Sequence, residues 1–234
     1  MIDSLSFNRM SEDVVEVRLG DPTDPRTLDL VKRIDLWIHR NSPAWLYNHC
    51  YGFGRLSLMF DASTITESRV LQAIDTALKE ECIDEKHIPD KFVRILTCYD
   101  PRVAPDLKAV AEQLKLSIEG LIAIHSQRDY RVLATGFVPG FSYLGETDSR
   151  IQLPRKDVPI SRIPAGSVAI AENQTAIYPK ELPGGWHLIG RMVGSIVSVT
   201  VNSINAKLGM GTTVRFQRIP YDQFIRLEGL NATN

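Results

Sequence analysis

His125 and Arg131, in IHSQRDYR (124–131), are the first residues of this chain whose types suit chemistry. They flank a turn just ahead of GFVPGFSYLG (136–145), a block rich in Gly, Pro and aromatics. A histidine carries or relays a proton near neutral pH, and an arginine holds a carboxylate through two parallel hydrogen bonds. The same pair also reads as a helix-capping histidine and a surface arginine. Three further arginines, Arg155, Arg162 and Arg191, flank the blocks RIPAGSVAIAENQTAIYP (162–179) and PGGWHLIGR (183–191). Beside Gly-rich turns they would line a pocket for a small carboxylate; equally, they read as ordinary charges on a barrel rim. Gln174, Thr175 and Tyr178 offer neutral hydrogen bonds suited to an amide or lactam. Phe141, Tyr143 and Trp186 read first as core or interface aromatics.

Other chemistries are excluded by what the residues lack. GFSYLGET (140–147) is a near miss to the phosphate loop GxxxxGK[ST], with Glu146 where the lysine belongs. A glutamate there repels phosphate, and the segment runs into QLPR rather than a helix. His39, His49, His87, His125 and His187 show no HxxxH or HxxE spacing, so no metal site is expected. No G-x-S-x-G elbow occurs. Net charge is −1, which leaves no footprint for nucleic acid or anionic membrane. No apolar run approaches the roughly 20 residues of a membrane helix. The N-terminus MIDSLSFNRM does not have the pattern of a signal peptide. The cysteines Cys50, Cys82 and Cys98 form no CxxC pair and read as free, buried thiols in a reducing, cytoplasmic setting. In that setting the sequons at Asn173 and Asn231 read as chance.

These residues need elements to hold them. VVEVRL (14–19) alternates like a strand, and TLDLVKRIDLWIH (27–39) carries Leu28, Val31, Ile34, Trp37 and Ile38 at helical spacing. WLYNHCYG (45–52) and RLSLMFD (55–61) read as strands joined around Gly52 and Gly54, and a helix is expected over 67–80. That order predicts an α+β N-terminal domain of the split βαβ, ferredoxin-like sandwich type, with its last strand unplaced. The charged stretch KEECIDEKHIPDK (79–91) is the expected boundary, dividing the chain into 1–90 and 91–234. A strand at 91–99 and two short helices follow, Asp106 to Leu114 with Asp106 as N-cap, and Ser117 to Ile124. From Tyr130 to Arg218 the chain reads as short strands and turns, hence all-β.

The string GF-x-PGF-x-YLG, followed by R-x-PAGSVAIA, QT-x-IYP and PGGW-x-LIGR, resembles one family known under several names. It comprises the B subunits of 5-oxoprolinase, allophanate hydrolase subunit 1 and KipI-type kinase inhibitors. The resemblance implies a cyclophilin-like β-barrel for the second half. It implies a non-autonomous subunit of an ATP-dependent complex that opens 5-oxoproline to L-glutamate. The implied partners are an allophanate hydrolase subunit 2-like protein (the C subunit of 5-oxoprolinase) and a LamB/YcsF-like protein (its A subunit). The complex would use ATP with magnesium; this chain alone would bind no cofactor. His125 and Arg131 match the family's pattern, which makes His125 the expected proton relay. Arg131 and Arg191 become carboxylate or phosphate clamps, Arg162 a further lining residue, and Gln174 and Tyr178 the groups that orient the lactam. Two alternatives share the family. One is an inhibitor that binds a sensor histidine kinase through an exposed aromatic cluster, Phe137, Phe141 and Tyr143. The other is a carboxyltransferase component of a urea or allophanate pathway, with biotin supplied from elsewhere. The chain departs from the pattern at SEDVVEVRLG (11–20), at Ala176 in place of a glycine, and at VGSIVSVTVNSINA and LGMGTTVRF (208–216). These changes spare the barrel but would alter the edge that meets a partner, so they bear on the subunit assignment more than on the fold.

Overall fold

The computed structural model describes residues 6–80, 91–200 and 203–231. The chain divides into two compact units, residues 1–89 and 90–234.

In the first unit, β1 (Ser6–Arg9) pairs antiparallel with β2 (Val14–Arg18), where Val15 and Val17 are buried and Arg18 is exposed. Helix α1 (Pro25–Asn41) starts where the Asp24 carboxylate accepts the Arg26 N–H and Pro25 needs no partner. It buries Leu28, Val31, Ile34 and Ile38 along one stripe. Strands β3 (Leu46–Gly52) and β4 (Arg55–Phe60) form a hairpin through Phe53 and Gly54, both at positive φ (53° and 71°), the backbone of a type I′ turn. Helix α2 (Glu67–Lys79) buries Val70, Ile74, Ala77 and Leu78 and lies against α1. The strand order is β1-β2-β4-β3, antiparallel throughout. The β-α-β-β-α succession expected from periodicity is present from β2 to α2. The fourth strand of a ferredoxin-like sandwich has no counterpart among the described residues of this unit. The edge beside β2 is held instead by β1, which has no buried side chain and so no alternation to reveal it.

The second unit runs β5 (Phe92–Cys98), α3 (Leu107–Gln113), α4 (Ile118–Ser126), β6 (Asp129–Thr135), β7 (Ser142–Gly145), β8 (Ile160–Ile163), β9 (Ser167–Ala171) and β10 (Gln174–Ile177). It continues with β11 (Leu182–Gly184), β12 (His187–Met192), β13 (Val197–Val199), β14 (Ile204–Ala206), β15 (Thr213–Ile219) and α5 (Tyr221–Asn231). Seven strands close a barrel in the order β6-β15-β5-β12-β9-β10-β7, with β7 returning to β6. Every pairing in the ring is antiparallel except β15 with β5. The mainly-β barrel expected here is therefore present.

Two apolar layers hold the unit. Ile95, Leu144, Val168, Ile170, Ile189 and Phe216 fill the barrel, joined by Leu107, Val110 and Leu121 from α3 and α4. Outside the wall, Phe141, Ala169, Ala171, Tyr178, Trp186 and Leu188 form a second cluster with Ile163. The two-stranded ribbon β8–β11 covers it, with Ile160 and Leu182 packed against the cluster. This explains why β9, SVAIA, is buried at every position. Its larger residues face the core, its alanines face the ribbon, and a strand covered on both faces loses the polar alternation.

Asp106 and Cys50 depart from expectation. Asp106 precedes α3 but makes no side-chain capping bond. Its Oδ2 accepts the Leu188 N–H at 2.7 Å and the Lys156 Nζ at 2.6 Å. A buried strand amide and a cation offer more than an exposed helix end, so the tertiary partners win. Asp106→Ala is expected to cost about 1–3 kcal/mol of stability, because it strands the Leu188 donor. A urea denaturation midpoint equal to that of the parent protein would contradict this. Cys98 is buried as expected, but Cys50 is exposed, its side chain on the outer face of β3; Cys82 lies outside the described residues. Among the described residues no helix is long and apolar enough to cross a membrane.

Candidate functional site

His125 sits in the last turn of α4 and points into the barrel, fully buried. Ser117 caps the start of that helix by accepting the Gly120 N–H at 2.9 Å. The Thr175 hydroxyl donates to the Ala169 carbonyl (3.0 Å), so its oxygen must accept from His125 Nε2–H (2.9 Å). That leaves Nδ1 bare, and it accepts the Tyr99 hydroxyl at 2.8 Å. Tyr130 donates its own hydroxyl to the His125 carbonyl at 3.0 Å. The imidazole also stacks on Phe216, with ring centroids 4.6 Å apart. Burial disfavours the charged ring and pulls its pKa down to about 3. A neutral histidine with both nitrogens committed and no solvent-facing atom is a core pin. The expected relay role, and the helix-capping alternative, are both replaced by this one.

Arg131 and Gln174 are brought together by strand register. Arg131 on β6 stands opposite Gly145 on β7, and Gly145 stands opposite Gln174 on β10. The flanking Tyr130, Val132 and Thr175 face the core, so Arg131 and Gln174 share the outer face of the wall. Their backbones lie about 10 Å apart, two strand spacings, with Gly145 between them and the Leu133 side chain packed over it, Cδ1 2.4 Å from where a Cβ would stand. Both are half-buried, and Arg131 has no acidic partner among the described residues. A guanidinium and a neutral amide at that separation can hold a carboxylate and an amide of one small molecule.

The remaining residues do not converge on this row. Arg162 is exposed and bonded to Glu181 at 2.7 Å, and Arg155 faces Glu172 at 3.2 Å. Arg191 lies on β12 opposite Cys98 and Ser167, separated by β9 from the strand of Gln174 and by β5 and β15 from the strand of Arg131. Tyr178 is sealed beneath the β8–β11 ribbon, where burial and the neighbouring Tyr143 push its hydroxyl up to about 12.

The aromatic trio also divides. Phe141 is buried and packs edge-to-face on Tyr143, Tyr178 and Trp186 at 4.9, 5.4 and 6.1 Å. It belongs to the outer core rather than to an exposed docking cluster, and Tyr143 is half-buried beside it. Phe137 alone projects, 63% exposed, braced from behind by Phe141 at 5.6 Å. The turn that carries it frames a cavity of about 380 Å³ between Thr135 and Gly140. Gly140 has φ 84°, and a Cβ there would fall 2.0 Å from Val197 Cγ2, so the turn seats directly on that residue.

A concavity of about 790 Å³ lies between β5 and the segment after β12, with Arg94 and Lys207 on its walls. Its lining comes from distant segments and matches no motif, so sequence reasoning does not find it.

Residues 5–198 match the family described as carboxyltransferase domain, subdomain C and D. The chain is 41% identical over 222 residues to the B subunit of 5-oxoprolinase from Bacillus subtilis (strain 168), covering 91% of this chain and 92% of that one. The chain belongs to this family. The carboxyltransferase subdomain fold recurs in TTHA0988, whose crystal structure superposes with a TM-score of 0.74 at 31% identity. The match covers 88% of this chain but only 39% of TTHA0988. The urea amidolyase of K. lactis matches with a TM-score of 0.71 at 13% identity, over 97% of this chain and 15% of that one; this likeness shows the shared fold.

Proposed function

We propose that this chain is a non-autonomous subunit of an ATP-dependent 5-oxoprolinase complex, which opens 5-oxoproline to L-glutamate. The observation that carries this reading is the 41% identity to a 5-oxoprolinase B subunit over nearly the full length of both chains. Lactam opening needs an activated carbonyl, for example by phosphorylation, before water attacks. The hydroxyl–imidazole arrangement around His125 in the barrel is sealed from solvent. What this chain contributes is half a site: Arg131 takes the substrate carboxylate and Gln174 orients the lactam amide. An allophanate hydrolase subunit 2-like partner (the C subunit of 5-oxoprolinase) and a LamB/YcsF-like partner (its A subunit) supply the rest, with ATP and magnesium used by the assembly. A cytoplasmic setting goes with ATP use and with free thiols at Cys50 and Cys98.

The test is co-expression of the three chains, purification, and measurement of ATP-dependent glutamate release from 5-oxoproline. Release that continues when this chain is omitted would defeat the subunit reading. Arg131→Ala is expected to lower kcat/KM about 10–100-fold with the melting temperature unchanged, since one charge-assisted pair is lost from an outer surface. Unchanged kinetics would remove the clamp while leaving the subunit reading in place.

A second reading, an inhibitor of a sensor histidine kinase, is favoured by Phe137, a large apolar side chain held out on a turn. Kinase autophosphorylation that does not change on adding the protein would eliminate it.

A further inference from the structure

Strands β12 and β5 are neighbours in the barrel for only part of their length. Arg191 stands opposite Cys98 and Met192 opposite Thr97, and the Val193 N–H gives one more bond to the Leu96 carbonyl at 2.9 Å. There the chain turns away. The Gly194 N–H goes to the Glu228 carboxylate at 2.6 Å, and the segment continues into the β13–β14 hairpin. β5 runs on to Phe92, held from its other side by β15 over its whole length. From Val93 to the Leu96 N–H, β5 therefore presents an edge on which no described strand sits. This edge forms one wall of the 790 Å³ concavity, and residues 192–198 with Lys207 form the other.

An unpaired edge is a template for another strand, and folded proteins normally cover or charge it. Here side chains alternate along it. Ile95 faces the barrel core and Val93 packs against that core, whereas Arg94 faces out, exposed, with its guanidinium 5.8 Å from the Phe92 ring. Lys207 is exposed on the opposite wall. Neither cation has an acidic partner among the described residues. The one acid among the described residues lining the concavity, Glu228, is committed to the Gly194 amide.

We infer that the open edge of β5 accepts an extended segment of a partner polypeptide in which acidic and apolar residues alternate. The added strand bonds to the free backbone groups of β5. Its apolar side chains lie on the Val93 and Ile95 side and its acids meet Arg94 and Lys207. The reading is independent of which reaction the complex performs.

The probe is a fluorescein-labelled hexapeptide, acetyl-Glu-Val-Glu-Val-Glu-Val-amide, titrated against the full chain by anisotropy, with its Lys-Val counterpart as control. The Glu-Val peptide is expected to bind and the Lys-Val peptide not. The double variant Arg94→Glu/Lys207→Glu is expected to weaken binding about tenfold or more, because two attractive pairs become repulsive. Both residues are exposed, so the variant keeps the fold. Hydrogen exchange read at β5 must slow at Arg94 and Leu96 when the peptide binds. Absence of binding, equal binding by the double variant, or binding without protection of those amides would each overturn the proposal.

Discussion

His125→Ala is expected to cost about 3–5 kcal/mol, the range for removing a large ring from a packed core. The deleted imidazole fills the space between Phe216, Tyr130 and Tyr99. Its loss also leaves the hydroxyl of the buried Tyr99 with no acceptor. A catalytic relay would behave differently: its alanine variant would lose turnover and keep stability. The pH dependence separates the two further. In the unfolded chain the ring has its ordinary value of 6.5, and in the fold it falls to about 3. The unfolded state therefore takes up the proton first. The stabilisation is complete above pH 6.5 and drains away as pH falls toward 3, at up to about 1.4 kcal/mol per pH unit. The carboxylates of Asp100, held at about 2 by the Arg102 guanidinium, and of Glu119, lowered by Arg218, add their own losses as pH falls into the ordinary carboxylate range, so the histidine is isolated by comparison with a variant that keeps both. Urea midpoints between pH 6.5 and 4.5 should slope more steeply for the parent protein than for His125→Phe. Equal slopes would show that the ring is not held neutral.

Gly54→Ala is the second large effect, at about 3 kcal/mol or more. Gly54 has φ 71°, where any L side chain is strained by about 1–2 kcal/mol. A Cβ there would also stand 2.1 Å from the Gly20 carbonyl oxygen, a backbone atom that cannot swing aside. The Gly54 carbonyl meanwhile accepts the Leu19 and Gly20 amides at 2.8 and 3.3 Å, so retreat breaks bonds at the end of β2. The control is Gly229→Ala in α5. That position is exposed, a Cβ meets nothing within 4 Å, and helix propensity favours alanine by about 1 kcal/mol. Thermal unfolding should move down for the first variant and up for the second. Loss of similar size in both would indicate that close approach to Gly20 is not what fixes the glycine.

Legibility in the sequence depends on whether a residue's fate is decided locally. Strand β2 and helices α1 and α2 carry their burial in their own spacing, so periodicity finds them. β1 is exposed throughout and α5 follows a strand without a capping residue, and both escaped. Nothing in β5 announces β15 as its parallel partner, because that pairing is a long-range event. At the site, Arg131 and Gln174 were legible as residue types, but the register that lines them up across Gly145 was not. A buried histidine and a catalytic one are spelled alike, which is why His125 misleads. Phe137 and Phe141 occupy one motif, yet the first projects and the second anchors the outer core, a difference set by the neighbouring Tyr178 and Trp186. Arg94 and Lys207 belong to no motif and come together only because β12 parts from β5.

The parallel pairing of β15 with β5 also orders events in time. It joins Phe92 to Thr213 and Cys98 to Ile219, the opening strand of the barrel to its closing one. A chain emerging from the ribosome can join β6 to β7 and β9 to β10 as hairpins, and then add β12 to β9, as each appears. It cannot shut the ring until residue 219 is free of the exit tunnel. Until then β5 and β6 each wait with an open side, exposed to any other strand in reach. Ring closure is a late, high-contact-order step, and a stall shortly before β15 would leave a nearly finished barrel in its most aggregation-prone form.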